Sequence, residues 1–183
     1  MARKTILLLL CACAAALVGG ATARTKTARQ PAVAPPFVPA TAQLRPEANP
    51  WAIRRYRREA WRWETLMGRR LSRGSVRPYR HVLKFWHDRA LRRRRDAVRV
   101  PHKGAWLCIH RYEAGWTDSG DPYWGGLQMD RGFMSTYAPR MLLRRGWADR
   151  WTAIEQMWVA ERALRRGRGF YPWPNTARVC GVL

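Results

Sequence analysis

From Asn49 onward apolar residues recur at helical spacing, whereas residues 24–50 show almost no periodicity. Asn49 and Pro50 supply a cap and a first-turn proline, and Tyr56, Ala60, Trp63 and Met67 then fall on one helical face, with Gly68 as the stop. A second helix is predicted over residues 78–100, with Val82, Trp86 and Ala90 on one side and four consecutive arginines, Arg92 to Arg95, near its end. The two are expected to form a helical hairpin whose aromatic residues are core, docked against the C-terminal domain. After Pro101 the pattern predicts a helix over residues 106–114 with Trp106 and Ile109 inward. Residues 116–128 are the one stretch where short strands are expected. Phe133, Tyr137 and Met141 predict further helix, interrupted or restarted at Pro139 and ended by Gly146. Thr152 to Glu155 is a capping box, and Ile154, Met157, Trp158, Glu161 and Leu164 follow at helical spacing until Gly167. No internal repeat is evident. The expected fold is α+β and mostly α.

The first 23 residues do not fit that scheme. Arg3 and Lys4 precede an apolar run over residues 5–18, and Ala21-Thr22-Ala23 is a small-x-small cleavage site, so 1–23 reads as a signal peptide. The run is shorter than a spanning helix requires. Cys13 suggests a lipoprotein site, but the apolar core ahead of it would be very short, which favours secretion over anchoring. Residues 24–50, rich in Pro, Ala and Thr, read as a spacer.

Charge is unevenly shared along the chain. The formal total is +23. Residues 24–100 carry 21 Lys and Arg against 5 Asp and Glu, a net of +16, whereas residues 101–183 carry 12 against 7, a net of +5. Residues 51–100 therefore read as a basic helical arm and 101–183 as a separate domain. Inside a cell such an arm would suggest nucleic acid. For an exported chain no nucleic acid is expected, and the partners are anionic wall polymers or lipid head groups. A solvated, arginine-rich helical surface is the plain alternative.

The chemistry concentrates in residues 106–130, WLCIHRYEAGWTDSGDPYWGGLQMD. Glu113 is a single acid within aromatic, aliphatic and basic surroundings. Desolvation favours the neutral form of a carboxyl, which a proton donor needs, and flat aromatic faces stack on sugar rings. Trp116, Tyr123, Trp124, Gln128 and Asp130 are the candidate substrate contacts. On a strand Tyr123 and Trp124 would point opposite ways, one to the sugar and one to the core. Gln128 either touches substrate or holds its own turn, and Gly125-Gly126 would let the backbone approach a ligand. Asp118, Asp121 and Asp130 are candidates for a second carboxylate. His110 and Glu113 lie three apart without a matching second pair, so neither a metal nor a cofactor is expected. Ser135 has no positioned His or Asp.

Trp106 with Glu113 seven residues on, the polar turn, Tyr123-Trp124-Gly125-Gly126-Leu127-Gln128, and Trp173-Pro174 followed by Cys180-Gly181 occur in that order. This set resembles the resuscitation-promoting-factor and transglycosylase-like proteins of actinobacteria over residues 101–183. Trp124 stands where the second Tyr of the family motif is usual, and Cys108 lies five residues before Glu113 instead of directly before it. The resemblance implies a small lysozyme-like domain that cuts the β-1,4 glycan of peptidoglycan, with Glu113 as the catalytic acid. It fits a single-acid transglycosylation better than a two-carboxylate hydrolysis, which remains open. It also implies a disulfide between Cys108 and Cys180, the two cysteines left once a signal peptide has removed Cys11 and Cys13. The competing readings are a non-catalytic wall-binding module using the same cleft and a polycationic surface binder built on residues 51–100.

Overall fold

The computed structural model describes residues 47–183. The expected signal peptide and nearly all of the spacer lie outside the described residues. Helix α1 (Pro50–Leu66) begins where the Asn49 side chain accepts the Trp51 N–H at 2.9 Å. It ends at Gly68, whose φ of 67° lets the N–H groups of Gly68 and Arg69 turn back to the carbonyls of Thr65 and Glu64. Helix α2 (Arg80–Ala97) returns along α1. Ile53, Ala60, Val82, Trp86 and Ala90 form a small core between the two helices. The connection is held inward by Trp61 and Trp86, whose indole N–H groups donate to the carbonyls of Ser72 and Ser75 at 2.8 Å.

Helix α3 (Lys103–Tyr112) leads to a two-stranded antiparallel sheet, β1 (Tyr123–Trp124) and β2 (Met129–Asp130), with Tyr123 opposite Asp130 and Trp124 opposite Met129. The second strand lies just beyond the 116–128 window expected for strands. Gln128, at φ 44°, lies in the turn ahead of it. Helices α4 (Arg131–Tyr137) and α5 (Arg140–Leu143) are the helical stretch divided at Pro139. Then come α6 (Ala153–Ala163), a kinked turn over Leu164–Arg168 in which Arg166 and Gly167 leave helical φ/ψ, and α7 (Pro174–Val179). The apolar pattern does not predict α7, which offers just one buried residue, Ala177. The architecture is mostly helical with one small sheet, as expected.

Helix α6 is the centre. Every residue from Glu155 to Glu161 is buried, so it lacks the polar face of a surface helix. Its capping box forms, with Thr152 and Glu155 exchanging hydrogen bonds. The main core around it holds Trp106, Ile109, Leu127, Met134, Trp158 and Trp173. It also holds Leu66, Met67, Ala97 and Val100, the C-terminal ends of both hairpin helices. The Trp158 indole N–H donates to Ala97 O at 2.7 Å, and Arg62 pairs with Glu155 at 2.9 Å. The compositional break at Pro101 is therefore not a break in the core. A chain beginning at residue 101 should lack native cooperative unfolding, because it would leave one side of α6 uncovered. A sharp thermal transition with native near-ultraviolet circular dichroism for residues 101–183 would refute this.

Two buried carboxylates contribute to the pH dependence. Burial alone would push Glu155 up, but hydrogen bonds from Arg145, the Thr152 N–H and Arg62 outweigh it and hold the carboxyl below its usual value. Glu64 behaves alike: burial opposes ionisation, and bonds from Ser72 and Arg93 prevail. Depressed carboxylates contribute stability above their unfolded-state pKa and lose it as pH falls through the lower folded-state pKa. Stability should hold at neutral pH and decline below the ordinary carboxylate range. Glu155→Gln should cost roughly 2–3 kcal/mol at pH 7, less than breaking a fully buried pair because Arg62 and Arg145 are 46% and 39% exposed. The same variant should flatten the acid limb of a denaturant-midpoint titration; an unchanged limb would show that Glu155 does not carry it.

Candidate active site

The Gly125–Gly126 turn is positioned from behind by Gln156, a fully buried residue of α6. Its Oε1 accepts the Gly126 N–H at 2.9 Å, and its Nε2 donates to the carbonyls of Trp116 and Ala148, both at 2.8 Å. A Cβ on Gly125 would lie 2.4 Å from Gln156 Oε1, and one on Gly126 would lie 2.6 Å from both His110 Nδ1 and Trp116 Cε3. The two glycines are thus required by the protein's own side chains, which occupy the space that the sequence pattern suggests for a ligand. The His110 ring stacks on Trp116 with centroids 3.9 Å apart, closing that layer.

Glu113 is the C-cap of α3, immediately after its last turn, and is half-buried. Trp106 and Ile109 of the same helix are fully buried, and the Trp106 indole N–H donates to Glu161 of α6 at 2.7 Å. The helix is therefore anchored on its inner side while its end reaches the surface. Across from it, α7 is tied on by the Cys108–Cys180 disulfide, with Cα atoms 5.9 Å apart. One turn before Cys180, Thr176 donates its hydroxyl to Glu113 Oε1 at 2.8 Å. The pairs 108–180 and 113–176 mean that α3 and α7 run in opposite senses with a covalent and a polar tie. Glu113 Oε2 has no protein partner among the described residues.

That carboxyl lines a hollow of about 200 Å³ together with Tyr123, Gln128, Pro172, Trp173, Pro174 and Asn175. A second hollow of about 520 Å³ shares Tyr123, Gln128, Pro172 and Trp173 and continues over Asp130, Phe133, Thr136, Tyr137 and Arg168. The shared residues make one groove, with Glu113 toward one end and Arg168 in the larger part. Trp173 forms its floor. It is buried against Trp106 and Phe133, and its indole N–H donates to Leu127 O at 2.6 Å.

The alternation on β1 resolves the Tyr-Trp pair. Tyr123 is 49% exposed and lines both hollows, whereas Trp124 is 6% exposed and packs toward Trp147 with Arg131 over its face. Gln128 holds its own turn and also lies at the groove. It lines the groove, while its Nε2 donates to Asp118 Oδ2 at 2.7 Å and Gly125 O at 3.0 Å. Trp116 lines neither hollow. Asp130 borders the larger one but caps α4 through the Phe133 N–H at 2.7 Å, and Asp121 pairs with Arg131 at 3.0 Å. Among the described residues no three His, Cys, Asp or Glu side chains converge as a metal site. Sequence reasoning misses Thr176, Gln156, Arg168 and Tyr137 as site residues, since no local pattern places α7 beside α3 or the Leu164–Arg168 turn beside α4. Trp173 is marked by its Trp-Pro pair, but as part of the C-terminal motif and not as a site residue. No family model matches this chain, and no curated protein or solved structure matches it either.

The disulfide closes a loop with a sequence separation of 72 and secures α7. Reduction, or Cys180→Ser, should lower stability by about 4 kcal/mol at most on a chain-entropy basis, and should loosen the Thr176–Glu113 contact without removing either group. Amide exchange in α7 should accelerate more than in α6. Equal protection in both redox states would show that packing alone retains α7.

Proposed function

We propose that the chain cleaves the β-1,4 glycan backbone of peptidoglycan by lytic transglycosylation, with Glu113 as its single acid and base. The observation that carries this is the state of the Glu113 carboxyl. One oxygen is held by Thr176, the other has no protein partner among the described residues, and the residue lines a groove with aromatic and polar walls. Asp118, Asp121 and Asp130 each already have a partner, in Gln128, Arg131 and the Phe133 N–H, which favours the single-acid reading over a hydrolytic pair of carboxylates.

In the proposed reaction protonated Glu113 gives its proton to the glycosidic oxygen as the C1–O4 bond breaks. The carboxylate then takes the proton of the substrate's own 6-hydroxyl while O6 bonds to C1. An anhydro sugar results, and Glu113 ends protonated. Tyr123 offers an exposed ring for stacking on a pyranose, and Gln128 supplies an amide to the same space. A mostly helical domain with a small sheet beside the groove suits the lysozyme-like fold that the family resemblance implies. Export fits the N-terminal pattern and the disulfide.

Purified peptidoglycan digested with the mature chain should yield 1,6-anhydro products by mass spectrometry. Glu113→Gln should lower cleavage at least about 100-fold, since it keeps shape but delivers no proton, with fold and glycan binding close to intact. Glu113→Asp should also be severely impaired, because it withdraws the acid from the bond. Wild-type cleavage by Glu113→Gln would refute the assignment and make Asp130 the next acid to test. Retained binding with no cleavage by the wild-type chain would favour a non-catalytic wall-binding module.

A further inference from the structure

Three arginines at the end of α6 surround a small hollow that no carboxylate serves. Arg162, Arg165 and Arg166, with Gly68 at the end of α1, line a space of about 240 Å³. A Cβ placed on Gly68 would lie 3.5 Å from both Arg162 Nη1 and Arg165 Nη2, so the two guanidiniums address the same point. Among the described residues, none of the three arginines forms an ion pair with any Asp or Glu. Arg162 and Arg165 are three apart on one helical face, where like charges disfavour the helix, and Arg166 follows at the kink.

Part of this cluster has a structural task. Arg162 donates to Tyr137 O at 2.7 Å and Thr65 O at 3.1 Å, and Arg165 donates to Met67 O at 2.9 Å, closing the C-terminal turn of α1. Those bonds use some of the five N–H donors of each guanidinium. They do not involve Arg166, which joins the hollow from the kinked turn after α6, where Arg166 and Gly167 leave helical φ/ψ. Burial, and then the charges of Arg166 and Arg165, hold the Arg162 guanidinium below its usual pKa. Among the described residues this charge meets backbone carbonyls and no carboxylate.

We propose that this hollow binds a phosphoryl group, with Arg166 as the residue that selects for it and Arg162 and Arg165 as the other two walls. The lining is arginine and glycine without an apolar wall, which suits a small, highly charged ligand. A tetrahedral dianion accepts hydrogen bonds from three directions, whereas a planar carboxylate is satisfied by one guanidinium fork. The site shares no lining residue with the Glu113 groove, and the inference does not depend on the glycan-cleaving reading.

The test is a titration of the full mature chain with inorganic phosphate at constant ionic strength, followed by thermal midpoint. The midpoint should rise and saturate. Arg166→Gln should weaken the apparent affinity about tenfold or more, the effect of losing one charge-assisted hydrogen bond. Without phosphate its midpoint should be unchanged or higher, because a repulsive charge has gone. The Arg94→Gln/Arg95→Gln chain should keep the wild-type response, which separates the site from the general basic surface. Phosphatidylglycerol vesicles and glycerol 3-phosphate, each used to displace phosphate, identify a lipid head group or a soluble ester as the source. An equal response to acetate, or an undiminished response in Arg166→Gln, overturns the proposal.

Discussion

A helix enclosed on all sides must find partners for every polar side chain it carries, and α6 carries three that are buried. Glu155, Gln156 and Glu161 are each satisfied by a different part of the chain. Glu155 holds Arg62 of the hairpin and Arg145 after α5; Gln156 holds the segments around residues 116, 126 and 148; Glu161 holds His102 and Trp106 at the start of α3. An unpaired buried carboxylate or amide would cost more than the bond it forgoes. The three side chains therefore specify which segments meet at the centre, and the groove results from that arrangement.

The groove itself depends on two ties between α3 and α7. Helix α7 is six residues long and buries little, so it has no independent reason to be helical or to sit where it does. The disulfide places it and the Thr176 hydroxyl bonds to Glu113 from it. Trp173, just ahead of α7, is held from the other side by Leu127 O. The acid, the groove floor and the glycine turn thus belong to one connected set of contacts, and displacing α7 alters all three.

Part of the positive charge is occupied internally. Arg62, Arg93, Arg145, Arg162 and Arg165 bond to carboxylates or carbonyls, several of them between the hairpin and the later segments. Other arginines of α1 and α2, such as Arg54, Arg55, Arg94 and Arg95, are exposed to solvent. A net charge read from composition does not distinguish these groups. The hairpin consequently serves the core at one end and presents cations along its flanks.

Local signals alone determined the caps and most of the helices. Asn49-Pro50, Gly68, Thr152 to Glu155 and Pro139 act through bonds or dihedrals within a few residues, so their reading needs no tertiary information. Trp106, Ile109, Trp86 and Ala90 were legible as core because a 3.6-residue period states which face is buried. Tertiary structure decided the rest. Which of Tyr123 and Trp124 faces the groove depends on strand pairing, and the need for Gly125 and Gly126 comes from Gln156, Trp116 and His110, which strand and helix packing bring to that turn. Proximity to Glu113 in sequence points Trp116 at substrate, but it stacks on His110 and lines neither hollow of the groove. Thr176, 63 positions beyond Glu113, reaches it only because a disulfide and a buried tryptophan bring the end of the chain back to α3. Periodicity reports the face of an element; contacts between elements are set by packing and buried hydrogen bonds, which no local pattern encodes.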